Sequence, residues 1–243
     1  MAAVDLPLDR DRAVPQTRFA LWSVSAAGLL LASSGLQLNA SLQRWVVFGR
    51  SWTRDDRLVE DNLFDYSYPT DPWENLGTTA ETFGAGYLLL SLGVVAVMHA
   101  AAPHQTHTTR VLARVVAGSF AVDGGHAVVS GLLDSPSPVQ HVLVAQWVLS
   151  LTAFVCLIIL AVMSLPASRA VSLACLFLVG ATVPGYLCAS YAVAPIIIGY
   201  QSYDTTPWTE TIVAGSTAAA GFCLLAGVAV AAFRRGTVTR TVA

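Results

Sequence analysis

The chain has 243 residues, with 13 Lys plus Arg against 15 Asp plus Glu and a formal net charge of −2. It is 55% hydrophobic and 12% charged, with a mean hydropathy of +0.61, whereas a soluble domain carries about 25% charge. That balance excludes an ordinary soluble globule, and the lack of a basic stripe excludes a nucleic-acid binder, leaving an all-α integral membrane protein with the lipid bilayer as its first partner.

All the basic charge is arginine. The lack of lysine excludes a retinal or pyridoxal Schiff base and suggests a GC-rich bacterial genome. A spanning helix needs about 20 mostly apolar residues. Six stretches qualify: 19–38, 76–99, 111–133, 141–164, 170–192 and 210–233. They predict a six-helix bundle in one polytopic domain, with tails at 1–18 and 234–243.

The first stretch has preceding arginines and small residues in "LQLNAS", which are features of a cleaved signal. Its long leading segment and near-spanning apolar run favour a retained helix. Residues 39–75 then form the one long loop, rich in Trp45, Phe48, Trp52, Phe64, Tyr66, Tyr68 and Trp73. Such a loop reads as a folded cap, as an interfacial aromatic belt, or as a docking surface for other subunits of a membrane complex.

Its end, "YSYPTDPWE", is echoed by "YQSYDTTPWTE" at a shift of 135 positions. In the first copy Asp71 is a candidate N-cap, Pro72 the first helical residue and Glu74 the reciprocal acid. In the second, Thr206 caps and Pro207 begins. Trp73 and Trp208 would then sit at headgroup depth. Matching glycines continue into the helices, Gly86 with Gly221. The expectation is a parallel repeat of helices 1–2 and 5–6.

Helix 2 places Glu81 about two and a half turns inside its expected start, among Thr78, Thr79 and Thr82. The following "HAAAPHQTH" reads as a solvated loop. Helix 3 carries the costliest residue. Asp123 falls near its middle, where a carboxylate costs roughly 2.5–3.5 kcal/mol to insert. His126 is one turn away, and Ser119 and Ser130 extend the same face. Gly124 and Gly125 allow close approach by a helix or a flat ligand. Helix 4 opens at His141 and carries Gln146 and Ser150 four residues apart.

Asp123, His126 and His141 are the only candidates for a metal or haem site, in a loose arrangement; no cofactor is expected. Helix 5 contains Pro184 and Gly185, which predict a kink. The four cysteines lie singly in apolar runs and read as buried hydrophobes.

Arginine placement sets orientation. With both termini cytoplasmic, Arg10, Arg12, Arg18, Arg110, Arg114, Arg169, Arg234, Arg235 and Arg240 lie inside against Asp5, Asp9 and Asp11. Arg44, Arg50, Arg54 and Arg57 lie outside with most of the acids. The expectation is a multi-pass plasma-membrane protein serving proton-linked small-molecule transport or as an accessory subunit. Two alternatives stand beside it: an intramembrane acid–base enzyme on a lipid or isoprenoid, using Asp123, His126 and Glu81, and a structural protein that binds a partner through its loop.

Overall fold

The computed structural model describes residues 10–49, 63–101, 106–136, 142–199 and 206–241. Among these every regular element is helical. Helix α1 (Arg10–Leu42) runs on through a π-helical turn, Gln43–Phe48, and is followed by α2 (Thr79–Ala100), α3 (His107–Leu133) and α4 (Val142–Ser164). The fifth span is broken into α5 (Arg169–Leu178), a 3-10 turn at Val179–Ala181, α6 (Val183–Cys188), a π turn at Ala189–Val193 and α7 (Ala194–Ile198). Helix α8 (Thr209–Thr241) completes the chain.

Five helices are long and apolar enough to cross a membrane, and the broken span makes six. Their exposed surface is what lipid requires. Along α4, Val144, Val148, Leu151, Val155 and Val162 all face outward, while Ala153, Cys156, Leu157 and Leu160 are buried. That outward stripe at helical spacing reverses the pattern of a soluble helix.

Each helix packs on its chain neighbour, and α8 returns to pack on both α5 and α1, closing a ring. Small residues set the spacing. A Cβ on Gly84 would stand 2.5 Å from the Gly124 carbonyl oxygen, and one on Gly124 would stand 2.7 Å from that of Gly84. The backbones of α2 and α3 therefore touch where a membrane bundle gains from dispersion contacts. Gly125 has nothing near it, so only the first of the glycine pair expected to admit a neighbour does so. Buried serines tie α1 to both flanking helices: Ser33 Oγ donates to Gly86 O at 2.7 Å and Ser34 Oγ to Ala214 O at 2.8 Å.

Three expectations need correction. First, α1 does not end at residue 38. It carries its helical path to Phe48, so the long loop starts later and Arg44 belongs to the bundle. Second, α2 does not begin at Pro72. It begins at Thr79 after Thr78, and Asp71, Pro72, Trp73 and Glu74 lie before it in irregular chain. Trp73 is not in a first helical turn: it is buried and donates from Nε1 to Asp65 O at 3.1 Å. Glu74 N donates to Leu63 O at 2.8 Å, so the segment closes on itself instead of capping a helix. Third, Pro207 is not the first residue of α8. Thr206 O accepts from Thr209 N at 3.2 Å, closing a turn over Pro207 and Trp208, and the helix begins at Thr209.

The two echoed entrances thus differ, since helix follows Pro207 within two residues and Pro72 only after seven. The matched glycines behave alike, however. A side chain at Gly86 would meet the Ser33 carbonyl, and one at Gly221 would meet Leu31 and the Ala27 carbonyl, both on α1. Residues 50–62, His104, His141 and positions 200–205 of the second copy lie outside the described residues.

Candidate functional site

The polar stripe expected on α3 forms one seam. Ser119, Asp123 and Ser130 are buried, with Asp123 2% exposed, and His126 is half-buried. Gln146 of α4 is fully buried and lies beside Asp123. Gln146 stands close to hydrogen-bonding range of the Asp123 carboxylate, while Ser119 Oγ, Asp123 Oδ1, His126 Nδ1, Ser130 Oγ and both amide atoms of Gln146 meet no strict hydrogen-bond partner. Buried polar atoms are paired in the great majority of cases, and each unmade bond costs about 1–3 kcal/mol. These six atoms are spread along about three turns of α3 and the facing part of α4. No ion pair joins Asp123 to His126 among the described residues.

Three tyrosines and the broken span frame the seam. Tyr87 of α2 sets its ring edge-on to Phe120 of α3 at 5.7 Å and donates its hydroxyl to Ala181 O at 2.9 Å. Ala181 is the last residue before the break at Thr182, where the two parts of the span meet at 73°. On the other side of the break, Val183 N donates to Ser150 Oγ of α4 at 2.7 Å. The break thus lies between partners from α2 and α4, the helices that flank Asp123. Pro184 is the second residue of the second part, in a first turn where its missing N–H costs no helical bond. The expected kink is therefore a full interruption. From the 63–78 segment, Tyr68 reaches down to stand edge-on to Tyr186 at 6.0 Å. Burial, and then the nearby Tyr87 and Asp123, push the Tyr68 phenol well above its usual range.

Glu81 lies at the Ser130 end of this stripe and not beside Asp123. Because α2 starts late, Glu81 sits in its first turn, where it accepts from Asn75 Nδ2 at 2.9 Å and lies against Gly131. Gly131 is eight residues beyond Asp123, about 12 Å along α3 at 1.5 Å per residue. Among the described residues no three His, Cys, Asp or Glu side chains gather in a metal-binding arrangement, and His141, the third candidate ligand, lies outside them.

A second cluster was missed by sequence reading. Arg44 is fully buried; its Nη1 donates to Glu210 Oε1 at 2.8 Å, and Asp65 Oδ1 stands 3.9 Å away. Trp45 Nε1 donates to Glu210 Oε2 at 2.8 Å. The guanidinium lies 4.7 Å from the Trp45 ring centroid and 5.9 Å from that of Tyr66, within cation–π range. Asp65 also accepts from Ser67 N at 2.8 Å. One cation thus links the end of α1, the start of α8 and the 63–78 segment. The signal was available: Ser33, Gln37, Ser41 and Arg44 fall at helical spacing along one face, and Ser41 Oγ meets Thr211 Oγ1 at 2.7 Å on the same face.

A comparison with known proteins finds no matching family model, no matching curated protein and no matching solved structure.

Proposed function

We propose that this multi-pass membrane protein couples proton movement to the passage of a small molecule, with Asp123 as the group that takes up and releases the proton. The observation that supports this reading is the line of buried polar atoms without strict hydrogen-bond partners around Asp123, set beside an interrupted span. Intramembrane carboxylates cost insertion energy and belong by default to ion and proton pathways, and interrupted helices are where transporters build their sites. In this reading Gln146, Ser119 and Ser130 solvate the two states of Asp123, and His126 passes protons between the seam and the surface. The capped end, where the 63–78 segment lies, faces outward, and both termini are cytoplasmic.

The enzyme reading needs Asp123, His126 and Glu81 to reach one substrate atom; Glu81 lies against Gly131, about 12 Å along α3 from Asp123 but only about 7.5 Å from His126. The partner-binding reading required outward aromatics. Phe64, Tyr66 and Trp73 are buried, whereas Phe48 is exposed and Trp52 lies outside the described residues.

The test is proton flux in proteoliposomes carrying an internal pH dye under an imposed potential. Wild-type protein is expected to acidify the lumen faster than empty vesicles. Asp123→Asn is expected to slow this at least tenfold, and Asp123→Glu to retain part of it. Equal flux through Asp123→Asn vesicles, with unchanged melting of the purified protein, would reject the role of Asp123.

A further inference from the structure

The 63–78 segment is knitted to itself. Glu74 N donates to Leu63 O at 2.8 Å, Trp73 Nε1 to Asp65 O at 3.1 Å and Ser67 N to Asp65 Oδ1 at 2.8 Å. Its hold on the helices is of longer reach. Asp65 stands 3.9 Å from Arg44, Tyr66 faces Phe83 of α2 at 5.2 Å between centroids, and Tyr68 meets Tyr186 of α6 edge-on at 6.0 Å. These are bonds that let the segment move as a unit.

Its join to α2 has the parts of a hinge. Gly77 has φ +63°, a conformation that glycine enters without steric cost. The next residue is pinned: Gln43 Oε1 accepts from Thr78 N at 3.2 Å and from Thr78 Oγ1 at 3.3 Å. A permissive residue beside a fixed one can absorb the backbone rotation of a swinging segment.

The seat of the segment is imperfect. Ser67 Oγ on the segment, and Gln37 Oε1, Arg44 Nε and Arg44 Nη2 on the first helix and its π turn, are buried without protein partners. Such atoms are costly in a dry contact and recover hydrogen bonds once water reaches them. Closure therefore carries a cost that lifting the segment removes. The closed state is nonetheless tight. Between Ser67, Tyr87 and Tyr186 no gap is wide enough for a water molecule. Tyr68 stands close enough to Asp123 to feel its charge, and a Cβ on Gly124, the neighbour of Asp123, would lie 2.9 Å from Tyr87 Cβ. Three tyrosines thus close the approach to Asp123 from the capped end.

We infer that the 63–78 segment is an outer lid that swings at Gly77, with Tyr68 against Tyr186 as its latch, and that Asp123 meets the outer medium only when the latch is undone. This inference rests on the proton-coupling reading and names how its site is opened.

The test is the labelling rate of Asp123→Cys in the full chain, with Cys156, Cys175, Cys188 and Cys223 replaced by alanine. The probe is methanethiosulfonate ethylsulfonate, a membrane-impermeant thiol reagent, added to sealed vesicles whose capped end faces out. Labelling is expected to be slow with the latch intact. Tyr68→Ala is expected to speed it about tenfold, the loss of one aromatic pair. Tyr68→Phe, which keeps the ring, is expected to leave it unchanged. Tyr186→Leu undoes the latch from the bundle side and is expected to act as Tyr68→Ala does, and melting temperatures report folding. An unchanged rate in a folded Tyr68→Ala or Tyr186→Leu protein, or equal acceleration by Tyr68→Phe, overturns the proposal. Labelling needs no proton movement, so the two readings fail separately. Faster labelling in unlatched protein, with full proton flux in Asp123→Asn, leaves the lid standing and rejects the proton carrier. Unchanged labelling, with flux lost in Asp123→Asn, does the reverse.

Discussion

Arg44 Nη1 and Glu210 Oε1 meet at 2.8 Å across 166 positions of chain, and both side chains are buried. The pair fastens α1 to α8 and closes the ring of helices at its capped end. Arg44 still has Nε and Nη2 without partners, so the guanidinium depends on Glu210 and Asp65 for nearly all its compensation. Removing one partner of a buried pair strands the other charge, at about 3–5 kcal/mol. Glu210→Gln is therefore expected to lower the stability of the purified protein by about that amount. The double change Arg44→Met with Glu210→Leu is expected to recover part of the loss, because neither charge of the pair is left buried and only Asp65, which still accepts from Ser67 N at 2.8 Å, loses its cation. Unfolding in detergent with added denaturant measures both. A double variant less stable than Glu210→Gln alone would show that the pair contributes net stability and does not merely avoid a stranded charge.

Gly124 and Gly125 are neighbours in sequence with opposite surroundings. The first touches the Gly84 backbone, whereas the second faces open space. Gly124→Ala is expected to force α2 and α3 apart, costing about 1–3 kcal/mol as an overpacked contact. Gly125→Ala is expected to be neutral or stabilising, since alanine is the better helix former by about 1 kcal/mol. Melting temperatures of the two single variants check this. Similar shifts for both would contradict the tight crossing.

This contrast shows how much of the fold could be read from the residues. Spans two, three and four were legible to within a few residues, because apolar length and the flanking polar turns coincide there. The stripe at Ser119, Asp123, His126 and Ser130 was legible because helical spacing is a local property. Arg44 was not, because hydropathy alone ends the first helix at residue 38, and an arginine beside tryptophan reads as an interfacial charge. Its burial depends on an acid 166 positions away, a relationship no local pattern carries. The proline motif at Asp71 to Glu74 misled for the same reason. It has the grammar of a helix entrance, but the stretch folds back on its own segment, with Trp73 donating to Asp65 O and Glu74 N to Leu63 O, and the helix starts only at Thr79. Likewise Pro184 announced a kink, while the full break at Thr182 depends on Ser150 and Tyr87 from other helices.

Tyr66 supplies a pH dependence. Its side chain is 1% exposed, with its ring against Phe83 and near Arg44. Burial, and then the charge of Glu210, raise its phenol well above the ordinary value of 10.0, with Arg44 opposing. The unfolded chain therefore releases this proton at a lower pH than the folded protein does. The stability tied to Tyr66 is complete below about pH 10 and is lost as pH rises towards the higher folded value, by about 1.4 kcal/mol per pH unit. Tyr68, raised by burial in the same direction, adds a second such dependence. Wild-type protein is expected to keep a constant melting temperature up to about pH 9 and to lose stability steadily between about pH 10 and 11. Tyr66→Phe, which keeps the ring but removes the ionisable hydroxyl, is expected to flatten that loss by one proton's worth of slope. Melting curves from about pH 8 to 11, read alongside phenolate absorbance, measure it. An identical slope in Tyr66→Phe would mean that the segment lifts from the bundle before the phenol ionises, and that the grip of Arg44 and Asp65 on the cap is weaker than the geometry implies.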